Sequence, residues 1–184
     1  QSRNNQLAWL ALQQDDLLTS VHELKERVGS HRIAVIMGTS TSSIGRTEEA
    51  YRQLGEDGRI PSALRQPQVH NLHSPGAFVA AGLAGPSLTI STACSSSAKV
   101  FATAARWIQH GIVDAALVGG VDSLCLSILY GFNSLELISA EPCKPFDRER
   151  AGINIGEAAG YAIVSRAEFA TRPDIALLGY GESS

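Results

Sequence analysis

Of the three cysteines in this sequence, Cys94 stands in the setting best suited to nucleophilic chemistry, within residues 92–97 (TACSSS). Its run of small polar residues separates a short apolar stretch from a longer amphipathic one. A thiolate is stabilised at a helix N-terminus, where unpaired backbone N–H groups also bind the oxyanion of an acyl-transfer intermediate. We therefore expect Cys94 to be a nucleophile. The alternative is a buried cysteine that serves as a small hydrophobic residue.

The residues on either side of Cys94 predict a strand–helix–strand unit. Leu88 to Thr92 alternates large and small residues, as a half-buried strand does. Ala98 to His110 follows as a helix that Gly111 ends. Its apolar stripe, at spacings of three and four, consists of Ala98, Phe101, Ala102, Ala105 and Ile108. Ala115 to Val118 forms the second strand, so the thiol lies at the turn between the first strand and the helix.

The remaining elements suit an α/β domain. Residues 6–28 predict helix, with a break at Asp15-Asp16 that divides it in two. Arg32 to Met37 predicts a strand, and the polar loop Gly38 to Ser43 lies beyond its carboxyl end, where open α/β sheets bind ligands. An ordinary surface loop is the alternative for that segment. Further helices are predicted over residues 47–54 and 75–84, and further strands over residues 161–164 and 175–178.

Composition narrows the class of protein. The 184 residues, 44% of them hydrophobic and 18% charged, suit one globular domain or most of one. The net charge of -3 gives no basic surface for nucleic acid, and no apolar run approaches the roughly 18 residues needed to span a membrane. Without a C-x-x-C pair or a disulfide framework, the cysteines predict a reducing, cytoplasmic setting. His70 and His73 lack a third ligand nearby, so we expect structural roles and neither metal nor cofactor.

Four motifs in order along the chain resemble one family. Residues 92–98 (TACSSSA) are similar to the nucleophile motif of the β-ketoacyl-acyl carrier protein synthases and of polyketide ketosynthase domains. Gly85-Pro86-Ser87 precedes that motif, and residues 116–121 (ALVGGV) resemble the family's strand that ends in paired glycines. Residues 143–147 (CKPFD) with 156–160 (GEAAG) resemble the loop and strand that close the first half of the fold. The resemblance covers residues 32–166.

The resemblance implies the thiolase-like fold, an α/β fold of two similar halves, each a five-stranded mixed sheet with helices on both faces. Residues 1–184 are then expected to be part of the N-terminal half of a ketosynthase domain, with the C-terminal half absent. The half's first strand, which we expect in the middle of the sheet, would precede residue 1. The family's two catalytic histidines belong to the C-terminal half, so these residues alone are expected to lack condensing activity.

The resemblance also implies an activity, decarboxylative Claisen condensation in fatty acid or related polyketide biosynthesis. Cys94 would take an acyl group from an acyl carrier protein, whose phosphopantetheine thioesters are the substrates, and its own N–H would bind the oxyanion. A malonyl-carrier protein would supply the attacking carbanion. Phe132 and Val69 match positions that line the acyl pocket in relatives. The expected assembly is a homodimer joined along the strand Leu88 to Thr92.

Three alternatives remain open. A thiolase-type acyltransferase also uses a cysteine at a helix N-terminus, but the serine-rich run after Cys94 and the Pro145-Phe146-Asp147 loop argue against it. A non-catalytic partner subunit of a ketosynthase shares the fold but usually lacks the nucleophile. A plain α/β interaction domain is the third alternative.

Overall fold

The computed structural model describes residues 2–80, 82–170 and 175–183. Within them, four strands form one mixed sheet. The strands are β1 (Ile33–Gly38), β2 (Ser87–Ile90), β3 (Ala115–Asp122) and β4 (Ala158–Ser165). Their order across the sheet is β2-β1-β3-β4, with β1 parallel to β2 and to β3, and β4 antiparallel to β3. The predicted mixed α/β sheet is confirmed.

Helices lie on both faces of the sheet. They are α1 (Arg3–Leu12), α2 (Leu17–Val28), α3 (Ile44–Arg52), α4 (Ser74–Val79), α5 (Ser96–Gln109) and α6 (Leu126–Ser134), with short 3-10 turns at Ser30–Arg32, Ser62–Leu64 and Ala167–Phe169. The predicted break at Asp15-Asp16 is confirmed, because both residues adopt the left-handed backbone conformation that interrupts a helix. In the residues described, no helix is long and apolar enough to cross a membrane.

β1 lies in the interior of the sheet, and all six of its residues are buried. Ala34 and Ile36 face the core beneath α5, where Val100 and Ala104 meet them. The alternate residues of the strand, represented by Val35, face the opposite core, which α1 and α4 cover. Because successive side chains of a strand point to opposite faces, β1 contributes to a core on each face of the sheet. The fold therefore has three layers, with helices on both faces of the sheet.

The buried stripe of α5 differs in part from the predicted one, of which Ala102 and Ile108 are buried. Val100, Ala104 and Ile108 enter the core at spacings of four, whereas Phe101 is 38% exposed. Ala98 is exposed as well. The helix carries apolar residues on more than one face, so periodicity alone predicted the buried face only in part, and contact with the sheet selects which apolar residues are buried.

In the described residues β1 and β3 are neighbours in the sheet, and the expected position of the family's first strand, which would precede residue 1, stays a prediction. β1 and β3 pair directly in parallel from Ile33↔Ala115 to Gly38↔Gly120.

Two predicted elements are also corrected. Residues 175–178 form no strand, and Ile175 and Leu178 are 94% and 96% exposed. A strand requires a hydrogen-bonded neighbour, and this segment has none in the described part of the chain. The helix predicted over residues 75–84 ends at Val79, and Gly82 beyond it has a positive φ of 98°.

Candidate active site

Cys94 lies in the tight turn that joins β2 to α5, where it is an exposed free thiol. α5 begins at Ser96, two residues after the cysteine. Ala93, immediately before it, adopts a left-handed φ of 53°, which is uncommon for a residue that carries a Cβ atom. The predicted position of Cys94 at a strand-to-helix turn is confirmed.

Ser96 holds this turn closed. Its side chain is 2% exposed, and its Oγ donates to the Ala93 carbonyl over 2.6 Å while it accepts from the Thr92 N–H over 2.9 Å. The Ser96 N–H donates to the same Ala93 carbonyl over 3.1 Å. Ser95 adds a bond from its Oγ to the Thr92 carbonyl over 2.9 Å. These bonds offset the conformational cost of the left-handed Ala93.

The same bonds orient the amide of Cys94. In a trans peptide the carbonyl and the following N–H point in opposite directions, so the Cys94 N–H points away from the donors that bind the Ala93 oxygen. Among the described residues, this N–H donates no hydrogen bond. A free N–H beside an exposed thiol is the arrangement that can bind the oxyanion formed when that thiol attacks a carbonyl.

Two glycines allow the start of α5 to approach the sheet closely. A Cβ atom on Gly38 would lie 2.6 Å from the Ser96 carbonyl carbon, and one on Gly120 would lie 2.1 Å from Ser97 Oγ. The carboxyl ends of β1 and β3 therefore contact the helix only because these positions carry no side chain. Sequence analysis noted Gly119-Gly120 as a strand end and missed its packing role. A glycine at the end of each adjacent strand was the available signal.

The polar loop after β1 is fixed by Asp122 at the end of β3. Asp122 Oδ1 accepts from the Thr39 hydroxyl over 2.8 Å, the Ser40 N–H over 2.7 Å, and both the N–H and the hydroxyl of Thr41 over 2.9 Å. Thr39, Thr41, Ser42 and Ser43 are buried. Apart from the exposed Ser40, the loop is thus buried next to the Cys94 turn and is not an ordinary surface loop.

A cavity of about 610 Å³ lies along α5, β3 and β4. Ser97 and Phe101 line it from the helix, and Gly120 and Tyr161 line it from the strands. The exposed Phe101 ring therefore faces this space, which explains its departure from the core. Burial raises the pKa of the Tyr161 hydroxyl, which donates to the Ala8 carbonyl over 3.2 Å.

The two predicted acyl-pocket residues lie on separate elements. Val69 is half-buried in the segment before α4, where its N–H donates to the Gln66 carbonyl over 2.8 Å. Phe132 is half-buried on α6. Neither side chain lines the cavity beside Ser97. The structure thus brings Cys94, Ser96 and the two glycines together, and leaves the role of Val69 and Phe132 as a prediction.

Glu48 on α3 anchors the helix that carries Phe132. Its carboxylate accepts from the Leu126 N–H over 3.0 Å and from the Ser127 N–H over 2.7 Å, at the first turn of α6. Burial raises the pKa of Glu48, but the hydrogen bonds from Ser127 and Leu126 outweigh it and lower the pKa overall. α6 has no buried residue of its own, so this side-chain cap is a main attachment of the helix.

His70 and the other two cysteines make contacts of their own. His70 Nε2 lies 2.9 Å from the Leu64 carbonyl, which can only accept, so Nε2 donates there, and Nδ1 lies 2.9 Å from the Thr47 hydroxyl. Within the described residues, no three His, Cys, Asp or Glu side chains group as a metal site. Cys125 is buried, which raises the pKa of its thiol, and the exposed Cys143 donates its N–H to Asn154.

The layered α/β fold thus carries an exposed cysteine at the strand-to-helix turn between β2 and α5. The family model described as "Beta-ketoacyl synthase, N-terminal domain" matches residues 5–170. The chain therefore belongs to the β-ketoacyl synthase family.

Individual relatives agree with this assignment. The chain is 31% identical over 147 residues to nodulation protein E of Rhizobium leguminosarum bv. trifolii, covering 77% of this chain and 36% of that protein. It is 29% identical over 156 residues to the chloroplastic 3-oxoacyl-[acyl-carrier-protein] synthase I of Hordeum vulgare, covering 80% of this chain and 34% of that protein. The chain thus spans about a third of the length of these curated relatives.

A solved structure is similar as well. It is a ketosynthase in complex with its chain length factor from Xenorhabdus doucetiae, with 40% sequence identity and a TM-score of 0.76. The match covers 90% of this chain and 42% of that one.

Proposed function

We propose that residues 1–184 belong to the N-terminal half of a cytoplasmic β-ketoacyl-acyl carrier protein synthase, with Cys94 as its acylated nucleophile. The observation that carries this proposal is the exposed Cys94 thiol beside its own unbonded N–H, in a chain of the β-ketoacyl synthase family. The family assignment favours this reaction over a thiolase or a plain interaction domain. The presence of the thiol favours it over a non-catalytic partner subunit.

The reaction begins with attack of the Cys94 thiolate on the thioester carbonyl of an acyl-carrier protein. The carbonyl electron pair moves to oxygen, and the Cys94 N–H stabilises the resulting oxyanion. Collapse of this intermediate breaks the bond to the phosphopantetheine sulfur, which leaves and takes up a proton. The acyl group is then held as a thioester on Cys94.

Condensation follows on the acylated enzyme. A malonyl-carrier protein loses carbon dioxide, and the electron pair of the broken carbon–carbon bond forms the new bond to the acyl carbonyl. The Cys94 thiolate is released, and the β-ketoacyl product stays on the carrier protein. The family's histidines that polarise the malonyl thioester belong to the C-terminal half, so condensation requires that half as well.

Val69 and Phe132 remain our candidates for the acyl pocket. Phe132 lies on α6, a helix that Glu48 fixes from α3, so its ring has a defined position. Exchanging either residue for alanine is expected to change which acyl chain lengths react. If both variants of the intact protein keep the chain-length selectivity of the wild type, Val69 and Phe132 do not line the acyl pocket.

For the assembly we propose a homodimer joined along β2 and the residues that follow it, Leu88 to Thr92. β2 is at one edge of the described sheet, and an open edge associates unless it is covered. Leu88 and Ile90 pack half-buried against the core under α5, so the edge offers mainly backbone groups. A second candidate is a heterodimer with a chain length factor, because the 40% identical ketosynthase was solved in such a complex.

The dimer test uses Ser91→Lys, because Ser91 is exposed directly after β2 and its replacement leaves the core intact. Placing a charge in the pairing edge is expected to dissociate the intact protein in sedimentation velocity, since an unpaired buried charge is strongly unfavourable. A dimer that survives this change would place the interface elsewhere. A purified protein that sediments as a monomer until a chain length factor is added would favour the second candidate.

The decisive test of the function is acylation of the intact protein by acyl-carrier protein, followed by peptide mass spectrometry. We expect the acyl adduct on Cys94 and its complete loss in Cys94→Ala, with an unchanged melting temperature because the side chain is exposed. Cys143→Ala is the matched control, since Cys143 is also exposed. An adduct on Cys143 or Cys125 in place of Cys94 would overturn the assignment.

A further inference from the structure

Ser40 connects the polar loop after β1 to the turn that carries Cys94. Its Oγ lies within donating distance of two acceptors, the Ala93 carbonyl at 3.3 Å and Asp122 Oδ2 at 2.9 Å. The Ala93 oxygen is the atom that Ser96 also binds, through its N–H and its hydroxyl. Donors from two different elements, the loop and α5, therefore converge on one carbonyl.

Asp122 fixes Ser40 in this position. Its carboxylate accepts five hydrogen bonds from the loop, two of them from the backbone N–H and the hydroxyl of Ser40 itself. Among the described residues, Asp122 takes part in no ion pair, so its charge is satisfied by these neutral donors. Charge-assisted bonds of this kind are stronger than neutral ones, and Ser40 has little freedom to move away.

The contact of Ser40 with the Ala93 carbonyl acts on the peptide between Ala93 and Cys94. Because that peptide is planar and trans, any group that fixes the direction of the Ala93 carbonyl also fixes the direction of the Cys94 N–H. Ala93 is held in a left-handed conformation, so the peptide would otherwise tend to rotate toward a more favourable φ. A donor from outside the turn opposes that rotation.

We propose that Ser40, held by Asp122, is a positioning residue that keeps the Cys94 N–H directed at the oxyanion formed during acylation. The inference rests on the proposed function of Cys94 and adds a residue to its supporting structure. Ser40 shares a single hydroxyl hydrogen between two acceptors, and the carboxylate is the nearer one. Its contribution is therefore that of one modest hydrogen bond.

The test compares two reactions of Cys94 in the intact protein. Acylation by hexanoyl-N-acetylcysteamine, a simple thioester, passes through a tetrahedral oxyanion. Alkylation by iodoacetamide displaces iodide and forms no oxyanion. Both adducts are quantified on the Cys94 peptide by mass spectrometry. Ser40→Ala is expected to slow acylation about threefold to tenfold, the effect of one lost hydrogen bond, and to leave alkylation within about twofold of the wild-type rate.

Two further variants separate positioning from a general effect on folding. Ser40→Thr retains the hydroxyl at an exposed position and is expected to restore acylation. Ser42→Ala removes a hydroxyl of the same loop that contacts the Asn71 and Leu72 carbonyls, away from the Cys94 turn, and is expected to behave as wild type in both reactions.

Several results would overturn the proposal. Equal slowing of acylation and alkylation in Ser40→Ala would show an effect on the thiol or the whole turn, and unchanged acylation would show no effect at all. A Ser40→Thr protein as slow as Ser40→Ala would also contradict it. If the wild-type protein reacts with the simple thioester but not with acyl-carrier protein, the proposed function fails while the comparison of Ser40 variants still decides this inference.

Discussion

Replacing Gly38 with alanine tests whether the close approach of α5 to the sheet holds the turn that carries Cys94 in place. The added Cβ atom would lie 2.6 Å from the Ser96 carbonyl carbon and 2.7 Å from both the Ser96 oxygen and the Ser97 nitrogen. All three are backbone atoms, so no side-chain rotation relieves the contact. Either the start of α5 or the end of β1 must move.

The structure sets the size of that movement. An ordinary carbon contact of about 3.5 Å requires a displacement of roughly 0.9 Å at the first turn of α5. Overpacking of this kind typically costs about 1–3 kcal/mol, which corresponds to a fall of about 2–12 °C in melting temperature for a chain of this size. Because Cys94 directly precedes that turn, a displacement near 1 Å is expected to reduce its acylation rate by up to about 100-fold.

Thermal denaturation and acylation of Cys94 by a simple thioester are the two assays for this variant. Gly45→Ala is the matched control, because its Cβ atom would meet nothing nearer than 3.6 Å and alanine favours the helix that contains it. If Gly38→Ala melts and reacts like Gly45→Ala, the close packing described for the α5 N-terminus is incorrect.

Three further predictions concern the scaffold. A hydrogen bond from Arg32 lowers the pKa of Asp114 in the folded state, so this carboxylate stabilises the fold above about pH 4, and its contribution is lost as the pH falls through the folded pKa. Asp114→Asn should therefore flatten the acid branch of a plot of folding stability against pH. An unaltered acid branch would contradict this assignment. Glu48→Ala should destabilise α6 by about 1 kcal/mol and speed amide exchange there about fivefold. Glu49→Ala, which removes contacts to Arg52 and Gln53 at the C-terminal end of α3, should not. Asn154→Ala removes the acceptor of the Cys143 N–H and two donors to the same loop, so tryptic cleavage of that loop should accelerate; equal cleavage rates would show that other contacts hold it.

The sequence by itself determined the local order of elements around the candidate site. The small polar run around Cys94 and Gly111 after the helix are local features, and they predicted a turn and a helix end that the structure confirms. The break at Asp15-Asp16 belongs to the same category. The strand–helix–strand unit follows from periodicity in one stretch of chain, because each of these signals acts over only a few residues.

Tertiary structure decided which strands are neighbours and which helix face is buried. β1 pairs with β3, more than 70 residues further along the chain, and nothing in either segment alone specifies that partner. The exposure of Phe101 and the burial of Val100 likewise depend on where α5 meets the sheet, a contact between segments that periodicity does not encode.

The supporting residues of the candidate site depend most strongly on tertiary structure. Asp122 ends β3 and Ser40 follows β1, so their hydrogen bond exists only because the two strands are parallel and in register, with Gly38 opposite Gly120. Gly38 marks the end of β1 in the sequence, but the need for a glycine there arises only where α5 crosses it. Sequence identified Cys94 as the candidate nucleophile because the signals for it lie in neighbouring residues of the chain, whereas the groups that hold its turn are brought together by pairing between distant strands.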